Sequence, residues 1–137
     1  MTVAFYDLQD IGNPLNGHRV AETQELEQLF VGLRRRPPFF CELIGEGQHK
    51  LLVGIAPMVG CVQHSSNDGN PPYLMAADPR LTIVDTAVEF LISGTPTPVP
   101  GRYLLPMGVV TRVASEFLQT ELRSVAVLWE AIGPMPQ

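Results

Sequence analysis

Apolar positions recur along this chain in short runs whose period shifts from strand-like to helix-like and back. Val3-Ala4-Phe5-Tyr6 reads as a first strand, and Asn16-Gly17, after Asn13-Pro14, suits a turn that needs positive φ. The chain is therefore expected to double back at that point. Beyond Thr23, an expected helix cap, Leu26, Leu29, Phe30 and Leu33 fall on one face at helical spacing. Arg34-Arg35-Arg36 then sit where a helix dipole is negative, and Pro37-Pro38 forbid continuation, so the helix is expected to end there.

From Phe39 to Ile92 short runs alternate with turn residues, the pattern of an antiparallel meander. Phe39 to Ile44 and Lys50 to Ile55 flank the hairpin connection Gly45-Glu46-Gly47-Gln48, and Met58 to His64 follows as the next strand. The polar run Ser65 to Pro72 is a loop long enough to carry function. Tyr73 to Ala76 and Ile83 to Ile92 complete the sheet, the latter with Val84, Val88, Phe90 and Ile92 on one face and Asp85 and Glu89 on the other, which predicts a wet, acidic side. Gly94 to Gly101, with three prolines, is confined to a turn or an extended rim. Pro106 opens a second helix whose stripe is Val110, Val113, Ala114, Phe117 and Leu118, with Arg112, Ser115, Glu116 and Gln119 outside. Val125 to Trp129 reads as a closing strand, with Trp129 as a core anchor. The expected architecture is α+β: a single antiparallel β-sheet of about five to six strands with two main helices on one face.

Length adds that the 137 residues form one domain, 1–137, large enough for a core without disulfides. Cys41 and Cys61 lie on apolar segments and are expected as buried thiols in a reducing compartment. The amino terminus lacks the basic start and apolar stretch of a secretory signal, and no run approaches a membrane span, so a cytoplasmic, soluble protein is expected. Net charge is −5, from 14 acidic and 9 basic side chains. Such a balance disfavours direct nucleic-acid binding and favours a basic protein partner.

Reactive constellations are weak. Cys41, His49, Cys61 and His64 are the soft-ligand residues, yet Cys61 and His64 differ by an odd number within one strand and point to opposite faces, so no metal is expected. His64, Ser65, Ser66 and Asp68 have the residue types of a triad but are packed too closely in sequence to converge on one atom. Gly45-Glu46-Gly47 leads into a hairpin and has no helix dipole with which to hold phosphate. No catalytic residue, cofactor or enzymatic activity is expected.

Several stretches, spanning nearly the whole chain, resemble immunity protein family 1 of bacterial polymorphic toxin systems, which includes inhibitors of double-stranded-DNA cytidine deaminase toxins. They are Leu51-Leu52-Val53-Gly54-Ile55 with Val59-Gly60, Glu89-Phe90 with Gly94-Thr95-Pro96-Thr97-Pro98-Val99-Pro100, and Ala114 to Thr120 leading to Val127-Leu128-Trp129-Glu130. Where relatives tend to have a Thr-Gly turn and an Arg-Pro pair, this chain has Thr120-Glu121-Leu122-Arg123-Ser124. The resemblance implies a protein that binds a cognate toxin, a deaminase or a nuclease, and blocks its active site. The expected contact residues are Ser66, Asn67, Asp68, Tyr73 as aromatic anchor, Asp78, Asp85 and Glu89. A rival expectation is a small-ligand-binding or hydrolytic domain that uses His64 and a carboxylate in a pocket between sheet and helices. A third is a subunit that self-associates through its Pro-rich rim.

Overall fold

The computed structural model describes residues 1–80 and 87–133. It is α+β, with the elements β1 (Val3–Asp7), β2 (Arg19–Val20), α1 (Thr23–Leu33), β3 (Phe39–Gly45), β4 (His49–Ile55), β5 (Val59–Ser66), β6 (Tyr73–Ala77), β7 (Val88–Ile92), β8 (Thr95–Val99), β9 (Leu105–Pro106), α2 (Met107–Thr120) and β10 (Leu128–Ile132). The strands form one sheet in the order β10-β6-β5-β4-β3-β1-β2, with β7 and β8 joined at β3 and β9 at β5. Among the described residues the pairings are antiparallel except one parallel bridge, Phe39 to Leu91. The sheet has ten strands among the described residues, and not the expected five to six. The strands that no sequence run pointed to are the two-residue bridges at β2 and β9, too short to leave a periodic signal, and the proline-bearing β8, which pairs with β7 at a rim where missing N–H groups cost nothing.

Strand alternation sorts the core onto both faces. Phe39, Cys41 and Leu43 of β3, Leu51, Val53 and Ile55 of β4, and Val62 of β5 face the helices, against Leu26, Phe30 and Leu33 of α1 and Val110, Val113, Ala114, Phe117 and Leu118 of α2. On the other face Phe40, Leu52, Cys61 and Met75 form a second cluster with Phe90, Ile92, Val99 and Leu104, so the β7–β8 hairpin covers this side. The Phe40 and Phe90 ring centroids are 5.2 Å apart. Gly54 makes the approach possible: a Cβ there would stand 3.0 Å from Phe90. The wet side expected of the sheet thus belongs to the covering hairpin, whose Glu89 is exposed while Phe90 and Ile92 point inward. The two thiols are free and buried, in clusters on opposite faces of the sheet.

Helix ends differ in detail from expectation. Glu22, not Thr23, occupies the cap position of α1, without a side-chain cap bond. Arg34 takes the C-terminal position of α1 and its guanidinium donates to the Pro57 carbonyl, while Arg36 folds back over the Phe39 ring, 3.9 Å from its centroid. Ser115, expected outside, is buried. The last strand begins at Leu128, three residues later than expected, because Ser124 to Val127 form a turn fixed by the Trp129 indole N–H donating to the Ser124 carbonyl at 2.9 Å. No helix among the described residues is long and apolar enough to cross a membrane.

Candidate functional site

The hairpin turn between β3 and β4, the loop between β5 and β6, and the C-terminal end of α2 meet at one end of the sheet. Glu121 joins them. It follows α2 in the left-handed conformation, φ 61°, that a helix terminus ordinarily reserves for glycine. The conformation aims the Glu121 side chain into the hairpin, where its carboxylate accepts the N–H groups of Gly47 at 2.7 Å and Gln48 at 3.0 Å. Gly45 and Gly47 leave the space for it, since a Cβ on either would lie 2.0 or 2.2 Å from a carboxylate oxygen.

The loop is built onto that turn. Asn67 donates its backbone N–H to the Gln48 carbonyl at 2.8 Å and its side-chain amide to the Gly47 carbonyl at 3.2 Å. Gly69 N–H closes on the Ser66 carbonyl at 3.1 Å, Asp68 accepts the Asn70 N–H at 2.9 Å, and the Tyr73 hydroxyl donates to the Gly69 carbonyl. The Asn70 N–H, with the Ser66 hydroxyl, holds the Asp68 carboxyl below its usual range, so this exposed group is an anion at neutral pH. Ser66, Asn67, Asp68 and Tyr73 therefore belong to one ordered projection.

Beneath the loop is a pocket of about 140 Å³ lined by His49, His64, Ser65, Ser66, Pro72, Leu74 and Arg123. The His64 ring lies 4.9 Å from that of His49 and meets the edges of Phe117 and Trp129 at 5.8 and 6.0 Å. Burial is the main cause that pushes its pKa down to about 4. His64 is thus neutral at physiological pH, and its Nε2 is enclosed without a hydrogen-bond partner among the described residues.

From Arg123 the surface continues along the β6–β10 edge. Leu122, Val125 and Leu128 are exposed by 67, 94 and 58%. Val125 to Leu128 line a depression of about 310 Å³ with Asp78, Pro79 and Arg80. Asp78 is here, but its buried carboxylate is gripped by Arg80 through Nε at 2.9 Å and Nη2 at 3.0 Å, which holds its pKa down. Tyr73 and Asp78 stand at opposite ends of β6, about 17 Å apart at the usual rise. Glu89 is exposed on the covering hairpin, apart from this edge, and Asp85 lies outside the described residues. Among the described residues no group of three His, Cys, Asp or Glu side chains is arranged to hold a metal ion.

Sequence reasoning identified the loop, but it missed the Glu121 latch and the apolar rim. The legible signal for the latch was a Glu directly after an amphipathic helix, where Gly is expected, together with two glycines in a distant hairpin. No family model matches the chain, and neither does any curated protein or solved structure with which it was compared.

Proposed function

We propose that the protein is an immunity protein that binds a cognate bacterial toxin domain, a nucleic-acid-targeting deaminase or a nuclease, and covers its active site. The observation that carries this reading is the pairing, along one sheet edge, of an exposed loop held by hydrogen bonds within itself and to the β3–β4 turn with an apolar rim. A loop whose backbone is already fixed loses little entropy on binding. The exposed Leu122, Val125 and Leu128 supply the desolvated centre that a stable protein interface needs, and the loop supplies its polar margin. Asp68 and the net charge of −5 complement the basic groove of a protein that acts on nucleic acid, and this steers encounter. The resemblance to immunity protein family 1 points the same way.

The test is co-purification with the toxin domain encoded beside this protein, followed by deamination and nuclease assays of that domain with and without it. A stoichiometric complex that silences the toxin is expected, and Asp68→Lys should weaken it roughly tenfold. Continued toxicity with no complex would refute the reading.

The rival, a small-ligand or hydrolytic site, is favoured by one observation: His64 does line a pocket, formed by β4, β5, β6 and Arg123 of the segment after α2. Against it, the His64 Nε2 offers no surface to a ligand and the nearby Glu121 carboxylate is spent on the hairpin N–H groups. A ligand thermal-shift screen separates the two, since this rival requires stabilisation by a small molecule alone.

A further inference from the structure

The opposite end of the sheet carries a heavily braced loop. Asp7, at the end of β1, has a carboxylate with no solvent exposure. Burial acts to raise its pKa, but hydrogen bonds from Arg36, Asn13 and the N–H groups of Asp10 and Gln9 outweigh that and hold it below the usual value. Oδ1 accepts the Gln9 and Asp10 N–H groups at 2.9 and 2.8 Å, while Oδ2 takes Asn13 Nδ2 at 3.0 Å and Arg36 Nη1 at 2.6 Å. Asn16 closes the loop from its other end, accepting the Asp7 N–H at 2.7 Å and donating to the Asp10 and Ile11 carbonyls, both at 3.2 Å. The β7–β8 turn clamps its flank, with Ser93 N–H on the Leu8 carbonyl at 3.0 Å and Gly94 N–H on the Gln9 side-chain oxygen at 2.8 Å.

What this framework presents to solvent is Ile11, 87% exposed at the loop's apex, next to the exposed carboxylate of Asp10. An isolated surface isoleucine is unremarked in most proteins. This one differs because its backbone is fixed by the buried Asp7 carboxylate, paired with the partly exposed Arg36, and by hydrogen bonds on both sides. Burying a charge is costly unless it is paired, and the result of that cost here is the shape of one loop. Asp10 has no ion-pair partner among the described residues, whereas Asp7 is neutralised by Arg36.

We propose that the loop Leu8 to His18 is a second docking element, in which Ile11 enters an apolar pocket on a protein partner and Asp10 meets a cation on that pocket's rim. The partner is the toxin domain of the reading above, on which this proposal rests. The choice follows from charge: an uncompensated carboxylate beside an apolar knob fits a basic protein surface and disfavours an acidic one. The two docking elements stand at opposite ends of the sheet, about 24 Å apart along the seven residues of β3 and about 14 Å apart across the three strand spacings from β5 to β1, roughly 28 Å in all, which is comparable with the width of a standard interface of about 800 Å² per partner.

The experiment is titration calorimetry of the full chain against the neighbouring-gene toxin domain, comparing the unsubstituted protein with Ile11→Asp, Ile11→Val, Asp10→Lys and Asp68→Lys. Ile11→Asp should weaken binding by about 100-fold and Asp10→Lys by roughly tenfold, while Ile11→Val stays close to the unsubstituted protein. Because Ile11 is outside the core, its variants should keep the melting temperature, so a loss of affinity cannot be assigned to unfolding. If Asp68→Lys weakens the complex while Ile11→Asp and Asp10→Lys leave it unchanged, the second docking element is refuted and the toxin-binding reading stands. If the unsubstituted protein forms no complex, both fall.

Discussion

Replacing Glu121 by alanine removes the acceptor for two backbone N–H groups in a hairpin turn 73 and 74 residues away in sequence. Hydrogen bonds to a charged group contribute about 1.5–3 kcal/mol each when buried. The Glu121 side chain is 11% exposed and the freed N–H groups regain water at the turn, so the low end applies and Glu121→Ala should cost about 3 kcal/mol. For a chain of this size that is a fall of about 10 °C in melting temperature. Glu121→Gly should be milder by about 1 kcal/mol, since glycine removes the strain of the left-handed backbone at φ 61°. Gly47→Ala supplies the complementary perturbation, because its Cβ would displace the carboxylate from 2.2 Å away while its own backbone needs no positive φ. Each single variant therefore breaks the same latch. Urea unfolding of both singles and the double should give a coupling energy of about 2 kcal/mol, with Gly47→Ala nearly harmless once Glu121 is alanine. Additive costs within about 0.5 kcal/mol would refute the latch and reduce Glu121 to an ordinary helix terminus.

Three further outcomes follow from buried polar groups. His64 is held neutral, its pKa pushed from 6.5 to about 4, so the unfolded chain binds a proton first and stability falls as pH drops from 6.5 toward 4; the loss should be about 2 kcal/mol at pH 5, and His64→Phe should flatten the slope measured by urea unfolding across that range. Asp7 has a depressed pKa, so its contribution is complete above the unfolded value near 3.8 and is lost only as pH falls below it; Asp7→Asn should destabilise by about 2–3 kcal/mol at pH 7 and expose the Leu8 to His18 amides to hydrogen exchange. Ser115 buries a hydroxyl that has no partner among the described residues, so Ser115→Ala should raise the melting temperature by about 2–4 °C, and a fall of that size would refute the assignment.

The main elements were legible because their chemistry is local. The runs Phe39 to Ile44 and Lys50 to Ile55 between turn residues, and the i, i+3, i+4 spacing from Val110 to Leu118, are local patterns, and Phe39, Cys41, Leu43, Leu51, Val53 and Ile55 do pack against that helix stripe in one core. The second face was misread for a physical reason. Glu89 and Phe90 do alternate wet and dry, but a strand's own pattern records that one side is covered and not which neighbour covers it. Phe40, Leu52, Cys61 and Met75 carried that information on the opposite strands, as a second apolar set on the face assigned to solvent.

The candidate site was legible only where it is local too. Ser66 to Tyr73 is readable as a loop from its turn residues, and its internal bonds, Asp68 to Asn70 and Tyr73 to Gly69, span few positions. What turns it from a connection into a rigid projection is Glu121, which shares no sequence neighbourhood with the turn it holds, and whose partners are N–H groups identical in every residue but proline. The Asp10-Ile11 apex was hidden for the same reason: Asp7 is an ordinary aspartate in sequence, and its meaning comes from Arg36, whose guanidinium returns across the end of α1 after a triplet that reads as a helix stop. In both loops a buried carboxylate organises backbone donors and an exposed side chain receives the benefit. On the proposed reading, changes at the exposed Asp68 or Ile11 would alter what the loops contact, while Glu121 and Asp7 hold the loops in place and keep the fold.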